Sequence, residues 1–358
     1  MFIKIKLFKQ QCYIIFLSVI LFIIFINTSK PEAKIFKVEN IEISEPFNTN
    51  FNKETVINKA FVSAFEELIF TLINSKDIRK LETTKLNDIK FLIDSFEISD
   101  ENFLSKKYKA KFNVNFNKKN TLKFFEKKNI FPSSNKKKDF LTIIIFIEND
   151  ENQVYLYNKN PFYKFWNQKK QKFYLINYIL TEEDIDTVKA IEDNKDNIEN
   201  YNFEKIIKKY DLNDYIITIF FKSEKKIKVL SKVFYDKQLK ILNHSYENIG
   251  NLDTETVQTL ISDTKIYYED IWKKYNQINT SIKLPINLKI SSKDVKKIIN
   301  LEKNMDKIDL ISDYFVTSLN NENTTYKIIF NGSPIKFLTL MNDYDIKVDI
   351  KNEIWKVK

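Results

Sequence analysis

The clearest patterning in this chain is a strict alternation from Tyr108 to Phe116. Tyr108, Ala110, Phe112, Val114 and Phe116 are apolar, and Lys109, Lys111, Asn113 and Asn115 are polar. A period of two predicts a strand with one buried face. Upstream, Val56, Ile57, Ala60, Phe61, Ala64, Phe65, Leu68, Ile69 and Leu72 recur at helical spacing. They predict an amphipathic helix over Lys53–Ile73, with Asn52 capping its free amides. Strands at Ile35–Ile43 and Leu92–Ser99, a turn at Asp100-Glu101-Asn102 and a short helix carrying Leu122, Phe124 and Phe125 complete an N-terminal α+β domain over residues 34–131. The stretch Pro132–Lys138 reads as a linker.

A second domain is predicted over residues 139–278. It opens on Leu141–Ile147, an almost unbroken apolar run that calls for a strand covered on both faces. A short helix begins at Asn160-Pro161, with proline at its tolerated first position. Next come a strand at Phe173–Leu180, a helix capped by Thr181 and ending near Ile191, and a helix over Phe203–Tyr210. Strands at Tyr215–Phe221, Ile227–Tyr235 and Leu239–Tyr246 precede a long helix from Thr254 to Tyr275. That order predicts a mixed α/β sheet.

The third domain, residues 281–358, reads strand Ile282–Ile290, helix Ser292–Asn304, strands Leu310–Leu319 and Thr324–Phe330, helix Pro334–Tyr344, strand Ile346–Lys356. The sequence βαββαβ is the ferredoxin-like order. Asn331-Gly332 marks the last strand-to-helix turn, where a glycine can take positive φ.

The first 33 residues carry a different pattern. Lys4, Lys6 and Lys9 precede an apolar run from Cys12 to Ile26, followed by the polar stretch Asn27–Ala33. This is the layout of an export signal. A run of 15 residues falls short of the roughly 20 that span a bilayer, which favours a cleaved signal. The poor fit of Pro31-Glu32-Ala33 to a small-residue cleavage site favours a retained anchor. Both readings place the remainder in the periplasm, either free or tethered to the inner membrane.

Composition then narrows the chemistry. The chain carries +10, about +7 of it beyond the export segment, and Arg79 is the only arginine among 58 basic residues. Nucleic-acid readers rely on the planar arginine fork, so lysine runs such as Lys136-Lys137-Lys138 read as solvated loops and no nucleic-acid partner is expected. Beyond Cys12 there is no cysteine, hence no disulfide or thiolate metal site. Two glycines, Gly250 and Gly332, cannot build a phosphate loop. The lone histidine, His244, falls in a predicted strand without a nucleophile signature. The carboxylate clusters Asp100-Glu101, Glu148-Asp150-Glu151, Glu182-Glu183-Asp184 and Asp343-Asp345 read as turns or helix starts. No catalytic, cofactor or metal residue is assigned. Tyr163 and Trp166, three apart on a short helix, are the candidate interaction anchor; with Phe162 and Phe165 beside them, core packing is the competing reading.

Several of these features occur together in a known pattern. Ala60-x-x-x-Ala64, the Asp100-Glu101 turn before Tyr108, Ala110 and Phe112, Asn160-Pro161 followed by Trp166, and the unit from Asn331-Gly332 to Trp355 resemble exported proteobacterial proteins of domain-of-unknown-function family 2066. The resemblance implies an envelope protein and supplies no catalytic residues. The expectation is a non-catalytic binding or scaffold protein whose partner is an envelope protein or envelope polymer, with membrane contact through residues 1–33 if the signal is retained. The alternative is a hydrolase that acts on an envelope polymer through two carboxylates.

Overall fold

The computed structural model describes residues 36–169, 171–351 and 354–358; the segment read as an export signal, residues 1–33, lies outside the described residues. Residues 35–358 form one compact unit, in which three sheets each carry their own core. The fold is mixed α/β and α+β, and its C-terminal part is a βαββαβ region consistent with a ferredoxin-like unit. Among the described residues no helix is long and apolar enough to cross a membrane.

The first sheet contains β1 (Lys37–Pro46), β2 (Ile93–Leu104) and β3 (Lys107–Phe116), all antiparallel in the order β1-β3-β2. Helix α1 (Lys53–Leu72) lies against it, started by the Asn52 side chain, which accepts from the Glu54 N–H at 2.8 Å. The apolar stripe read from the sequence is the buried stripe: Val56, Ala60, Phe61, Ala64, Phe65, Leu68, Ile69 and Leu72 are all in the core. Ala60 and Ala64 are fully buried in the same core as Phe112 and Val114. Two short helices, α2 (Ser75–Ile78) and α3 (Leu86–Leu92), follow α1, and α4 (Lys118–Lys127) follows β3. The turn expected at Asp100–Asn102 lies elsewhere. β2 runs on through those residues with a bulge, and the chain reverses at Ser105 and Lys106, both at positive φ (52° and 60°). Two left-handed residues match the twist of a tight hairpin.

The middle sheet is built on β4 (Lys138–Glu148), whose eight consecutive buried residues, Phe140 to Ile147, confirm a strand covered on both faces. On one side β4 pairs in parallel with β7 (Tyr215–Ser223), which continues through β8 (Lys226–Tyr235) to β9 (Gln238–Tyr246). On the other side β6 (Ile176–Leu180) pairs with its first half and β5 (Gln153–Tyr155) with its end. The stretch Ile143–Ile145 therefore lacks a neighbour there, and the Asn160 side chain takes the place of one by donating to the Ile144 carbonyl at 3.2 Å. The same side chain caps α5 (Pro161–Phe165) by accepting from Phe162 and Tyr163 N–H. Helices α6 (Ile185–Glu192) and α7 (Glu204–Ile207) cover one face of the sheet; α5 and α8 (Thr254–Tyr275) cover the other. The cap of α6 is Asp184, not Thr181: its carboxylate accepts from Thr187 N–H.

The third sheet has the order β11-β12-β10-β14-β13, with β10 (Leu284–Ser291), β11 (Ile311–Leu319), β12 (Asn323–Phe330), β13 (Val348–Lys351) and β14 (Ile354–Val357). Helices α9 (Val295–Lys307) and α10 (Pro334–Asp343) make the two crossovers. The single last strand expected over Ile346–Lys356 is instead a hairpin. β13 and β14 pair antiparallel, and β14 enters beside β10 in parallel, with Trp355 opposite Leu288. Gly332 also differs from expectation, since no glycine here has positive φ. Its requirement is space: a Cβ would lie 2.7 Å from the Phe330 ring.

Candidate functional site

Among the described residues β1 has a strand neighbour on one side only. Phe47 N–H donates to Lys106 O at 2.8 Å, and Phe116 N–H to Phe36 O at 2.7 Å. In an antiparallel pair only alternate residues bond their partner. The registers Glu45↔Tyr108, Ile43↔Ala110 and Ile41↔Phe112 therefore carry the ladder to β3. The N–H and C=O of Glu42 and Ser44 point the other way, and no hydrogen bond to them occurs within the described residues. Pro46 has the same outward parity, at a sheet edge where a missing N–H costs no ladder bond.

Beside this edge runs a trough of about 570 Å³. One wall is Glu42–Glu45; the other is the outer face of α1, with Thr55, Asn58, Lys59, Val62, Ser63 and Glu66; Leu86 closes the end. Ile43 and Val62, both packed on the first core, give it an apolar floor. Asn58 Oδ1 is shielded from water and has no hydrogen-bond partner among the described residues. Three carboxylates, Glu42, Glu45 and Glu66, line it; Lys59 pairs with Glu45 at 2.5 Å and Lys111 reaches Glu42 at 4.0 Å.

Trp166, half of the candidate anchor, is 1 % exposed and packs on Tyr178 and Tyr268. Tyr163 is half-buried and donates from its hydroxyl to Thr181 O at 2.7 Å. Trp166 lies in the core of the middle unit, and Tyr163 packs against that core from a half-buried position. His244 stacks on Tyr267 with ring centroids 3.7 Å apart, and burial lowers its pKa. The carboxylate clusters are dispersed. Glu101 accepts from Lys53 and Tyr108, Glu148 pairs with Lys222, and Asp150 accepts from Glu224 N–H. No group of three metal-ligating side chains occurs among the described residues.

Two arrangements escaped the sequence reading. The first is a row of buried charges on α8: Lys265, Glu269 and Lys273, spaced by four and each no more than 6 % exposed. Lys265 donates to Trp166 O at 2.5 Å and lies over the rings of Tyr178, Trp166 and Tyr174. Glu269 accepts from Leu175 and Ile176 N–H, and burial pushes its carboxyl up to about 7 against the opposing pull of those donors and Lys273. Lys273 donates to Phe70 O and Ile73 O, the free carbonyls at the end of α1. This row locks the first unit to the second. The second arrangement is a cleft of about 290 Å³ between α4 and the third unit. Lys118 donates there to Ile308 O at 2.9 Å; its stem is half-exposed, but burial of the ammonium end lowers its pKa to about 8. Asp306 and Asp313 line the same cleft, the first accepting from Tyr314 Oη and the second paired with Lys119.

No protein-family model matches this chain, and no curated protein does. Among solved structures it is similar to one titled "Crystal structure of uncharacterized protein", at 6 % identity over 40 % of this chain and 94 % of that one, with a TM-score of 0.16. At that score the likeness carries no argument.

Proposed function

We propose that this chain is an exported cell-envelope protein, periplasmic or tethered to the inner membrane, that works without catalysis by holding a polypeptide in the trough between β1 and α1. One observation carries the reading: the outward-facing N–H and C=O of Glu42 and Ser44 lie beside a helix-walled groove. Unpaired strand edges recruit extended chains, and natural sheets leave them open at a cost. The bulge at Glu39-Asn40, the Lys172 ammonium on Asn40 O and the proline at position 46 close the edge on both sides of that window. The resemblance to the domain-of-unknown-function family belongs to the same reading and adds the envelope as the setting. The hydrolase alternative has less support, because Asp306 and Asp313 in the third-unit cleft are each engaged by a neighbour.

A photoreactive amino acid in place of Ser63, on the groove wall, tests the proposal in the native envelope. It should capture an envelope polypeptide that the same group at exposed Lys205 does not. Equal capture at both positions, or capture of cytosolic proteins alone, would contradict it.

A further inference from the structure

The chemistry of the occupant follows from the walls of this trough, and the inference rests on the binding reading just given. We infer that the trough takes an extended segment bearing lysine or arginine, which joins β1 as an added strand across Glu42–Ser44.

The dimensions agree. From Thr55 to Glu66 the α1 wall rises roughly 16 Å at about 1.5 Å per residue. An added strand at about 3.3 Å per residue covers that length in roughly five residues. The bulge at Asn40 and the missing N–H of Pro46 limit pairing to the same short window. Within it, alternate side chains of the incoming strand face opposite sides. One set meets the floor of Ile43, Val62 and Leu86; the other lies on the outer face next to Glu42. Apolar and basic residues in alternation satisfy both.

Charge selects the sign. Glu42, Glu45 and Glu66 line the trough; Lys59 pairs with Glu45 and Lys111 reaches Glu42 at 4.0 Å, which leaves the wall acidic by one carboxylate. An acidic segment would place like charges across the new pairing, which is unfavourable. The same term disfavours a second copy of this chain: antiparallel pairing of two β1 edges brings Glu39, Glu42 and Glu45 of both copies together.

The test uses the full chain and two labelled hexapeptides of equal strand propensity, one alternating lysine with valine and one alternating glutamate with valine, read by fluorescence anisotropy at low salt. The lysine peptide should bind at least tenfold more tightly than the glutamate peptide, and added salt should weaken it. Ser44→Pro removes an outward N–H that the β1–β3 ladder does not use, so the fold stays intact by circular dichroism while binding falls at least tenfold. Glu42→Lys with Glu66→Lys should cancel or invert the preference between the peptides. If Ser44→Pro weakens both peptides equally and neither charge is preferred, the basic-segment inference fails while the groove reading stands. If Ser44→Pro leaves binding unchanged, the groove reading itself fails. Self-association of the chain that Ser44→Pro abolishes would replace the basic segment with a second copy.

Discussion

Glu269 Oε2 accepts the Leu175 backbone N–H at 2.9 Å, so a carboxylate on the long middle helix stands in for the neighbour that the start of β6 lacks. The same carboxylate takes the Ile176 N–H at 3.1 Å. Without it two buried donors would be orphaned, at about 1–3 kcal/mol each. Burial nevertheless outweighs these bonds and holds the carboxyl near 7, above its ordinary 4.5.

A pH dependence follows. The folded state grips this proton more tightly than the unfolded chain does. The stability that the group contributes is therefore complete below about 4.5 and is lost as pH rises through about 7. The shift bounds the effect at roughly 3 kcal/mol. Subtracting the Glu269→Gln stability from that of the parent at each pH isolates this group in thermal melts. The difference should decline between pH 5 and 7; a flat difference would contradict the assignment.

Asn160 should be the most sensitive polar position in the middle unit. It is fully buried, caps α5 and supplies the only partner found for Ile144 O on that side of β4 among the described residues. Asn160→Ala loses the cap, worth about 1 kcal/mol, and strands a buried carbonyl at about 1–3 kcal/mol. Asn160→Asp keeps the cap but cannot donate to Ile144 O. Urea titration should rank Ala and Asp both below the parent.

Lys118 should show itself by its reactivity. Competitive acylation read by mass spectrometry across pH should give this amine a midpoint near 8, below the roughly 10.4 of an ordinary lysine. Because the depressed value belongs to the folded state, stability should rise as pH passes from 8 toward 10.5 and the unfolded chain loses its advantage in binding the proton. A labelling midpoint at the ordinary lysine value would show that the ammonium is solvated.

The last fourteen residues should be indispensable to the third unit. Cutting the chain after Tyr344 removes β13 and β14, uncovers the side of β10 that pairs with Trp355, and takes away the Trp355 ring packed edge-on to Phe337 at 5.4 Å. Losing several side chains worth about 1.5–3 kcal/mol each exceeds what a small unit can spare. The truncated chain should lose a cooperative transition; an unchanged midpoint would contradict the pairing.

Much of this architecture was legible because burial here follows simple periods. The α1 stripe, the alternating β3 and the apolar β4 each state their environment in their own residues. The terminal hairpin was less plain, although its signal is present. Apolar positions are even at Ile346, Val348 and Ile350, and the adjacent pair Ile354-Trp355 breaks that alternation after the chain has reversed. The α8 charges were not legible. Lys265, Glu269 and Lys273 have the spacing of a solvated salt-bridged face, and only the arrival of Tyr178, Leu175 and the end of α1 buries them. The β1 trough was hidden for a related reason. Which edge of a sheet stays open depends on pairing order, and the segment over Ile35–Ile43 does not reveal that β3 rather than β2 is its neighbour.

Hydrogen exchange at single-amide resolution tests the open edge of β1 most directly. In the free protein the amides of Glu42 and Ser44 should exchange rapidly while that of Ile43, bonded to β3, is protected. On saturation with the lysine–valine hexapeptide, Glu42 and Ser44 should become protected and Ile43 should change little. Protection of Glu42 and Ser44 already in the free chain, or no gain on binding, would contradict the account.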